Sequence, residues 1–302
     1  MMEILQEQKN GNVSAVLIAG PTASGKSALA LAIARDLGGE IVNADSMQVY
    51  GVLDRLTARP GAEDLDKVPH HLYGHVPPGS VYSTGIWLEQ ATEAIAGIRA
   101  RGAVPVVVGG TGLYFRALTG GLSDMPAIPG PIREELRSRL ETEGVEALHR
   151  ELARLDPLMA DRLRPADRQR ILRALEVVRA SGRSITEFQG RGGASIVDPQ
   201  NARCIVLDPE RPVLHARINA RFGRMVEEGA LDEVRALLAL EVPPLHPAMK
   251  AIGVRQLADY LAGHTSLERA VELSSAATRQ YAKRQMTWFR NQMGDEWQRT
   301  EV

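Results

Sequence analysis

Three short stretches of this sequence carry residue types and spacings that could do chemistry on phosphates. The first is Gly20-Pro21-Thr22-Ala23-Ser24-Gly25-Lys26-Ser27, which fits the pattern Gly-x-x-x-x-Gly-Lys-Ser/Thr between an apolar run and a helical one. In such a loop successive backbone N–H groups converge on an anion, and the following helix adds partial positive charge. Gly20, Thr22, Ala23, Ser24, Gly25, Lys26 and Ser27 are therefore candidate phosphate ligands. Lys26 would reach the outer phosphate, and the Ser27 hydroxyl would ligate a Mg²⁺ bridging the phosphate oxygens. The pattern specifies a polyphosphate but not which one. A switch or motor nucleotidase also needs a carboxylate ending an apolar strand to hold the metal, and Val108-Gly109-Gly110 offers none. Cys204-Ile205-Val206-Leu207-Asp208 has that look, but Pro209 follows at once, so Asp208 reads better as a strand-ending turn residue.

The second stretch is Asn43-Ala44-Asp45-Ser46-Met47-Gln48-Val49-Tyr50. Ligand crevices of parallel sheets lie at the carboxyl ends of the strands, so Asp45 would face the crevice of the phosphate loop. A carboxylate there is either a base that takes a proton from an attacking acceptor or a turn and cap residue. The third, Gly109-Gly110-Thr111-Gly112, ends another apolar run, and Thr111 either touches substrate or caps the next helix. His70, His71 and His75 lie close together, but Pro69 and Gly74 break the helix that an i, i+4 metal pair requires.

The elements that must position these stretches alternate. Ala15 to Ala19 reads as a strand, Lys26 to about Leu37 as a helix, Glu40 to Asn43 as a strand, Trp87 to Arg101 as a helix, Val104 to Val108 as a strand and Thr111 to Leu118 as a helix. That alternation predicts a parallel sheet flanked by helices. From about Gly120 the β-branched runs vanish, and Pro131 to Phe188 shows only helical periodicity broken at Gly144, Pro157 and Pro165. A strand pattern returns at Ala202 to Leu207, followed by amphipathic helices from Arg211 to Arg290 with breaks around Pro243-Pro244 and Gly263. The expected architecture is α/β, a P-loop NTPase-like parallel sheet flanked by helices, with residues 1–122 and 198–302 as the core and 123–197 as an all-helical insertion domain.

With 44% hydrophobic and 24% charged residues, disordered and collagen-like classes are excluded. No apolar run approaches the roughly 18 residues of a membrane span, and the first dozen residues lack a signal peptide's pattern. A cytoplasmic protein without membrane contact is expected. Cys204 is alone, which leaves no intrachain disulfide and no multi-cysteine zinc site.

GPTASGKS at 20–27, NADSMQVY at 43–50 and VGGTGLYFRAL at 108–118 together resemble the tRNA dimethylallyltransferases, also called tRNA isopentenyltransferases. DRQRILRALEVVRASGRSITE at 167–187, RINARFGRMVEEGALDEVRALL at 217–238, AIGVRQLADYL and TRQYAKRQMTWFR match the same family in the same order. The resemblance implies transfer of a dimethylallyl group from dimethylallyl diphosphate to N6 of adenosine 37, next to the tRNA anticodon, with Mg²⁺ as cofactor. It implies Asp45, Thr111 and Arg221 as the catalytic residues: Asp45 as base at N6, Thr111 beside both substrates, and Arg221 gripping the diphosphate with Lys26. Ser46, Met47 and Gln48 would line the pocket of the flipped base. Arg133, Gln169, Arg170, Ile171, Leu172 and Arg173 in the insertion, with Lys283 and Arg284 in the terminal helix, would contact the anticodon stem-loop. The lone cysteine fits a bacterial-type member without a zinc finger, and a monomer is expected.

The chain departs from the family pattern at Leu56, where a glycine is usual, at Arg59, where a lysine is usual, and at Ala166, often an asparagine. Net charge is −1 overall, yet Arg162 to Arg191 holds eight arginines against three acids, a local +5, as a surface for RNA phosphates requires. The alternatives are an enzyme prenylating free adenine nucleotides, which has little use for a basic insertion, and a small-molecule P-loop kinase, which has none for the Arg221 segment. A non-enzymatic nucleotide-binding module stands further off.

Overall fold

The computed structural model describes residues 13–189, 193–244 and 246–301. Six strands, β1 (Val16–Ala19), β2 (Glu40–Asn43), β3 (His70–His71), β4 (Pro105–Gly109), β5 (Arg203–Leu207) and β6 (Trp297–Thr300), form one sheet in the order β3-β2-β4-β1-β5-β6. Every pairing is parallel.

The central strands β1 and β4, and the middles of β2 and β5, are apolar because both faces are covered, as parallel sheets require. Alternate residues take opposite sides. Leu17, Val42, Val107 and Val206 pack with α2 (Thr84–Ala100) through Trp87, Ala91 and Ile95, and with α3 (Gly112–Gly120) through Phe115 and Leu118. Val16, Ile18, Ile41, Val106 and Ile205 pack on the other side against Leu29, Ile33 and Ala34 of α1 (Lys26–Leu37). The one-residue alternation along each strand thus fixes the register of the whole layer.

The chain divides into two compact units, one made of residues up to Thr119 together with those from Ser195, the other Gly120–Ala194. The boundary therefore lies three residues earlier at each end than the expected 123–197. Its cause is the return segment: Ile196 and Val197 both donate to the Leu118 carbonyl, at 2.9 and 3.1 Å, and Val197 is fully buried in the sheet core.

The second unit contains α4 (Gly130–Thr142), α5 (Val145–Leu155), α6 (Pro157–Arg162), α7 (Arg168–Ser181) and α8 (Ile185–Gln189). Asp156 and Asp167 cap the starts of α6 and α7 by accepting from Met159 N–H and Arg170 N–H, satisfying amides with no partner inside the helix. Its core joins Leu136, Leu148, Leu152, Ile171, Leu175 and Val178. The first unit closes with α9 (Arg211–Met225), α10 (Leu231–Ala239), α11 (Val254–Leu261) and the long α12 (Leu267–Gln292). A kink at Gly229, with φ +107°, separates α9 from α10.

Candidate active site

Because all strands run the same way, the phosphate loop after β1, Asp45 after β2 and Thr111 after β4 emerge at one edge of the sheet. β4 lies between β1 and β2, so the Thr111 strand end separates the phosphate loop from Asp45. At roughly 4.8 Å per strand this spacing leaves room for a substrate lying across the strand ends.

The phosphate loop turns through the left-handed region at Ala23 (φ +63°) and Gly25 (φ +90°) and delivers Lys26 to the first position of α1. Lys26 is buried, its Nζ donating to the Pro21 carbonyl at 3.3 Å. Burial, and to a smaller extent the Arg221 charge, lowers its pKa to about 8 against the pull of the Asp45 charge. Arg221, projecting from α9, donates to Thr22 Oγ1 at 3.5 Å. Burial lowers its pKa as well, again opposed by Asp45. Two poorly solvated cations thus flank the loop, and a bound diphosphate would satisfy both. The Ser24 hydroxyl is fully buried beside Gly20 and has no partner among the described residues.

Asp45 is held by its neighbour Asn43, whose Oδ1 accepts the Asp45 N–H at 2.9 Å and whose Nδ2 donates to the Asp45 and Leu72 carbonyls at 3.1 and 3.0 Å. Trp87, fully buried and stacked on Tyr114 at 4.1 Å, pins the Asn43 carbonyl through Nε1 at 2.8 Å. One carboxylate oxygen of Asp45 accepts Met47 N–H at 2.9 Å, which leaves the other for a proton transfer. Thr111 Oγ1 accepts Ser46 N–H at 2.9 Å and donates to Ser46 Oγ at 3.3 Å. Burial, then the Asp45 charge, raises the Tyr73 and Tyr281 phenols above their usual range, so both stay protonated near Asp45.

Glycine is obligatory in the third stretch. A Cβ on Gly109 would lie 2.0 Å from the Ala44 carbonyl oxygen, and one on Gly112 would lie 2.1 Å from the Trp288 ring. No side chain fits at Gly109, so the metal-holding carboxylate of a nucleotidase is excluded from this strand end by sterics. Asp208 follows β5, its amide donating to the Thr300 carbonyl at 3.0 Å and its carboxylate 3.3 Å from Arg290, as a strand-end turn residue would be.

Among the described residues no group of three His, Cys, Asp or Glu side chains could hold a metal. A Mg²⁺ that arrived with its phosphates would take only one or two protein oxygens and keep most of its water. The exposed Ser27 hydroxyl, at the head of α1, fits that part. His71 meets Glu40 at 2.7 Å, His75 meets Gln90 at 2.8 Å, and His70 Nδ1 meets the Val68 carbonyl at 2.9 Å.

One expected RNA contact needs correction, and others already have partners within the protein. Ile171 is fully buried in the core of the helical unit and cannot touch a nucleic acid; Leu172 is half-buried against that core. Gln48 spends both amide hydrogens on the Thr57 and Ala58 carbonyls, each at 2.9 Å, bracing the loop that follows Asp45. Arg173 pairs with Glu176 at 3.2 Å, Arg179 makes two bonds to Glu135, and Arg183 makes two to Glu187. The local +5 already counts Glu176 and Glu187, so of these pairs only the one with Glu135, from outside the stretch, lowers it further. Arg133, Gln169 and Arg170 are exposed, and Arg191 lies outside the described residues. Lys283 lines a cleft of about 330 Å³ with Arg211, His215, Arg279 and Arg290, whereas Arg284 lies over the Tyr281 ring, 5.7 Å from its centre.

The departures at Leu56 and Arg59 have structural partners. Leu56 sits in an apolar cluster with Phe222, where a Cβ on Gly253 would come within 2.8 Å of it; Gly253, at φ +100°, makes the room. Arg59 pairs with Asp54 at 2.5 Å, and its guanidinium lies where a Cβ on Gly74 would be, 2.2 Å away. Nothing in the structure explains Ala166. The sequence reading gave no role to Asn43, Trp87 or Gln285. An Asn two residues before an Asp is the signal of an Asx turn; the other two show no local signal.

Fold and site thus define a phosphate-loop protein of the α/β class with a carboxylate, Asp45, across the Thr111 strand end from the loop. Comparison with known proteins narrows this class. The family model described as IPP transferase matches residues 48–292, and one described as isopentenyl transferase matches residues 13–73. The chain is 59% identical over 290 residues to a tRNA dimethylallyltransferase of Agrobacterium fabrum, covering 96% of this chain and 97% of that one. It is 61% identical over 287 residues to one of Rhizobium leguminosarum bv. trifolii, covering 95% and 97%. Among solved structures it resembles the full-length tRNA isopentenylpyrophosphate transferase of Bacillus halodurans, with TM-score 0.67, 37% identity and coverage of 96% and 90%. A eukaryotic dimethylallyltransferase acting on tRNA superposes with TM-score 0.82 at 26% identity, covering 96% of this chain and 74% of that one. The chain belongs to the IPP transferase family. Among the described residues no helix is long and apolar enough to cross a membrane.

Proposed function

We propose that this chain transfers the dimethylallyl group of dimethylallyl diphosphate to N6 of adenosine 37 in tRNA, acting in the cytoplasm as a monomer. The observation that carries the chemistry is the placement of Lys26 and Arg221 on one side of the Thr111 strand end and Asp45 on the other. The exocyclic adenine amine is a poor nucleophile because its lone pair is delocalised, so proton removal must accompany attack. As N6 bonds to the allylic carbon, the C–O bond to the diphosphate breaks with its electron pair and the N6 proton passes to Asp45. Charge grows on the leaving diphosphate, where Lys26, Arg221 and the loop amides lie. Mg²⁺, when bound with the diphosphate through Ser27, would neutralise part of that charge. The adenine reaches Asp45 by leaving its stack, and Ser46 and Thr111 flank its place. Arg133, Arg168 and Arg170 of the helical unit are the cations offered to the stem-loop. The test supplies labelled dimethylallyl diphosphate with unmodified tRNA, AMP or ATP as acceptor. Label in tRNA alone supports the reading. Label in free nucleotides, or phosphoryl transfer from ATP to a small acceptor without prenyl transfer, overturns it.

A further inference from the structure

We infer that Gln285, on α12, is a positioning residue that sets the phosphate loop against the strand end bearing Thr111 and thereby holds the diphosphate in line with the acceptor amine; this rests on the prenyl-transfer reading above. Gln285 is 5% exposed and both ends of its carboxamide are engaged. Oε1 accepts Thr22 N–H at 3.0 Å, and Nε2 donates to the Gly110 carbonyl at 2.8 Å. One amide orientation alone satisfies both, since Thr22 offers a donor and Gly110 an acceptor. Space for the bridge exists because residue 110 is glycine: a Cβ there would lie 2.2 Å from Nε2.

Each bridged residue leads to a group of the site. Thr22 Oγ1 accepts from Arg221, and Thr111, next to Gly110, holds Ser46 N–H beside Asp45. β1 and β4 pair as far as Ala19 and Gly109. Beyond that point the ladder ends, and Gln285 spans the gap between the two loops. In-line attack needs the reacting atoms held about 3–3.5 Å apart, and a misplacement of about 1 Å costs on the order of 10²-fold in rate. A residue that sets one loop against the other therefore acts on turnover more than on binding.

Two substitutions test this. Gln285→Met keeps the length and removes both hydrogen bonds; kcat should fall on the order of 10²-fold, while dimethylallyl diphosphate KM and tRNA affinity change far less. Gln285→Glu keeps an acceptor for Thr22 but sets a carboxylate oxygen against the Gly110 carbonyl. Burial favours the protonated carboxyl there, and protonation restores the missing donor. Its kcat relative to the parent should therefore rise as pH falls, where a purely structural residue would lower Tm and leave the pH profile of kcat like the parent's. Variants that match the parent in kcat, or a Gln285→Glu profile parallel to the parent's, overturn the inference. If Gln285→Met does not fold, the Gln285→Glu profile decides. A parent that fails to prenylate tRNA overturns the reading beneath it and the inference with it, whereas an active parent with indifferent variants overturns the inference alone.

Discussion

Replacing Asp45 by asparagine separates two jobs given to one carboxylate, the base role proposed above and an electrostatic one. Asparagine keeps an oxygen for the Met47 N–H that Asp45 accepts at 2.9 Å, and the Asn43 bonds to the Asp45 backbone persist, so the fold should hold. The amide cannot take the N6 proton. Losing a general base costs roughly 10²- to 10⁴-fold, about 3 to 5 kcal/mol of transition-state stabilisation. The second job is electrostatic, because the Asp45 charge opposes the burial that brings Lys26 to about 8. At pH 7.5 a group of that pKa is charged in about three quarters of molecules. Without Asp45 its pKa falls, and each unit of fall lowers the charged fraction about tenfold once the pH is above it. That effect appears in the diphosphate KM and recovers when the assay pH is lowered; the loss in kcat at saturating substrate does not recover. Steady-state kinetics with labelled dimethylallyl diphosphate and tRNA between about pH 6.5 and 8.5 resolve the two. Parent-like turnover, or a defect that disappears at the lower pH, would refute the base role.

Other consequences follow from the same geometry. In the parent, kcat/KM for dimethylallyl diphosphate should fall as pH rises through about 8, where Lys26 loses its proton, and Lys26→Arg should shift that fall beyond the assay range; an unchanged profile would contradict it. Gly109→Ala places a methyl 2.0 Å from the Ala44 carbonyl, so the β2 and β4 ends must separate, costing about 1–3 kcal/mol or more, which thermal unfolding would show. Arg168→Ala with Arg170→Ala should weaken tRNA binding and flatten its salt slope by up to about two units while sparing dimethylallyl diphosphate affinity. Ile171→Ala should instead destabilise the helical unit by about 2–5 kcal/mol, as calorimetry would detect. Glu40, held below its usual pKa first by the Arg101 hydrogen bond and also by His71, stabilises the fold above the ordinary carboxylate range and ceases to do so as pH falls through its lower folded value. The Tm gap between parent and Glu40→Gln should therefore be present at pH 7 and close in acid.

The central strands, α1 and the three loops were legible because each is a local pattern. β1 and β2 are short apolar runs ended by glycine or Asn-Ala-Asp, and Gly25 and Gly38, both at positive φ, bracket α1. β3 and β6 were not legible. His70-His71 and Trp297-Gln298-Arg299-Thr300 lack an apolar run, and their strand conformation comes from pairing with β2 and β5, where tertiary context overrides propensity. The site divides the same way. Asp45 and Thr111 sit in strand-end loops whose residue types mark them as candidates, site residue or cap, whereas Gln285 meets Thr22 across 263 residues and shows locally as one more polar position on an amphipathic helix. The error at Ile171 has a periodic cause. A run from Gln169 to Arg173 on a helix cannot face RNA at every position, and Ile171, Ala174, Leu175 and Val178, spaced by three and four, are the stripe that turns inward.

The central claim, that this site joins a dimethylallyl group to a base of the tRNA anticodon loop, is tested most directly by the product. Unmodified tRNA is incubated with the protein, Mg²⁺ and dimethylallyl diphosphate, digested, and its nucleosides and anticodon-loop fragments are read by mass spectrometry. The account predicts a single C₅H₈ addition on adenine N6, confined to the fragment containing adenosine 37 and absent with Asp45→Asn over the same interval. Addition at another atom or another loop, or an Asp45→Asn product as abundant as the parent's, would contradict it.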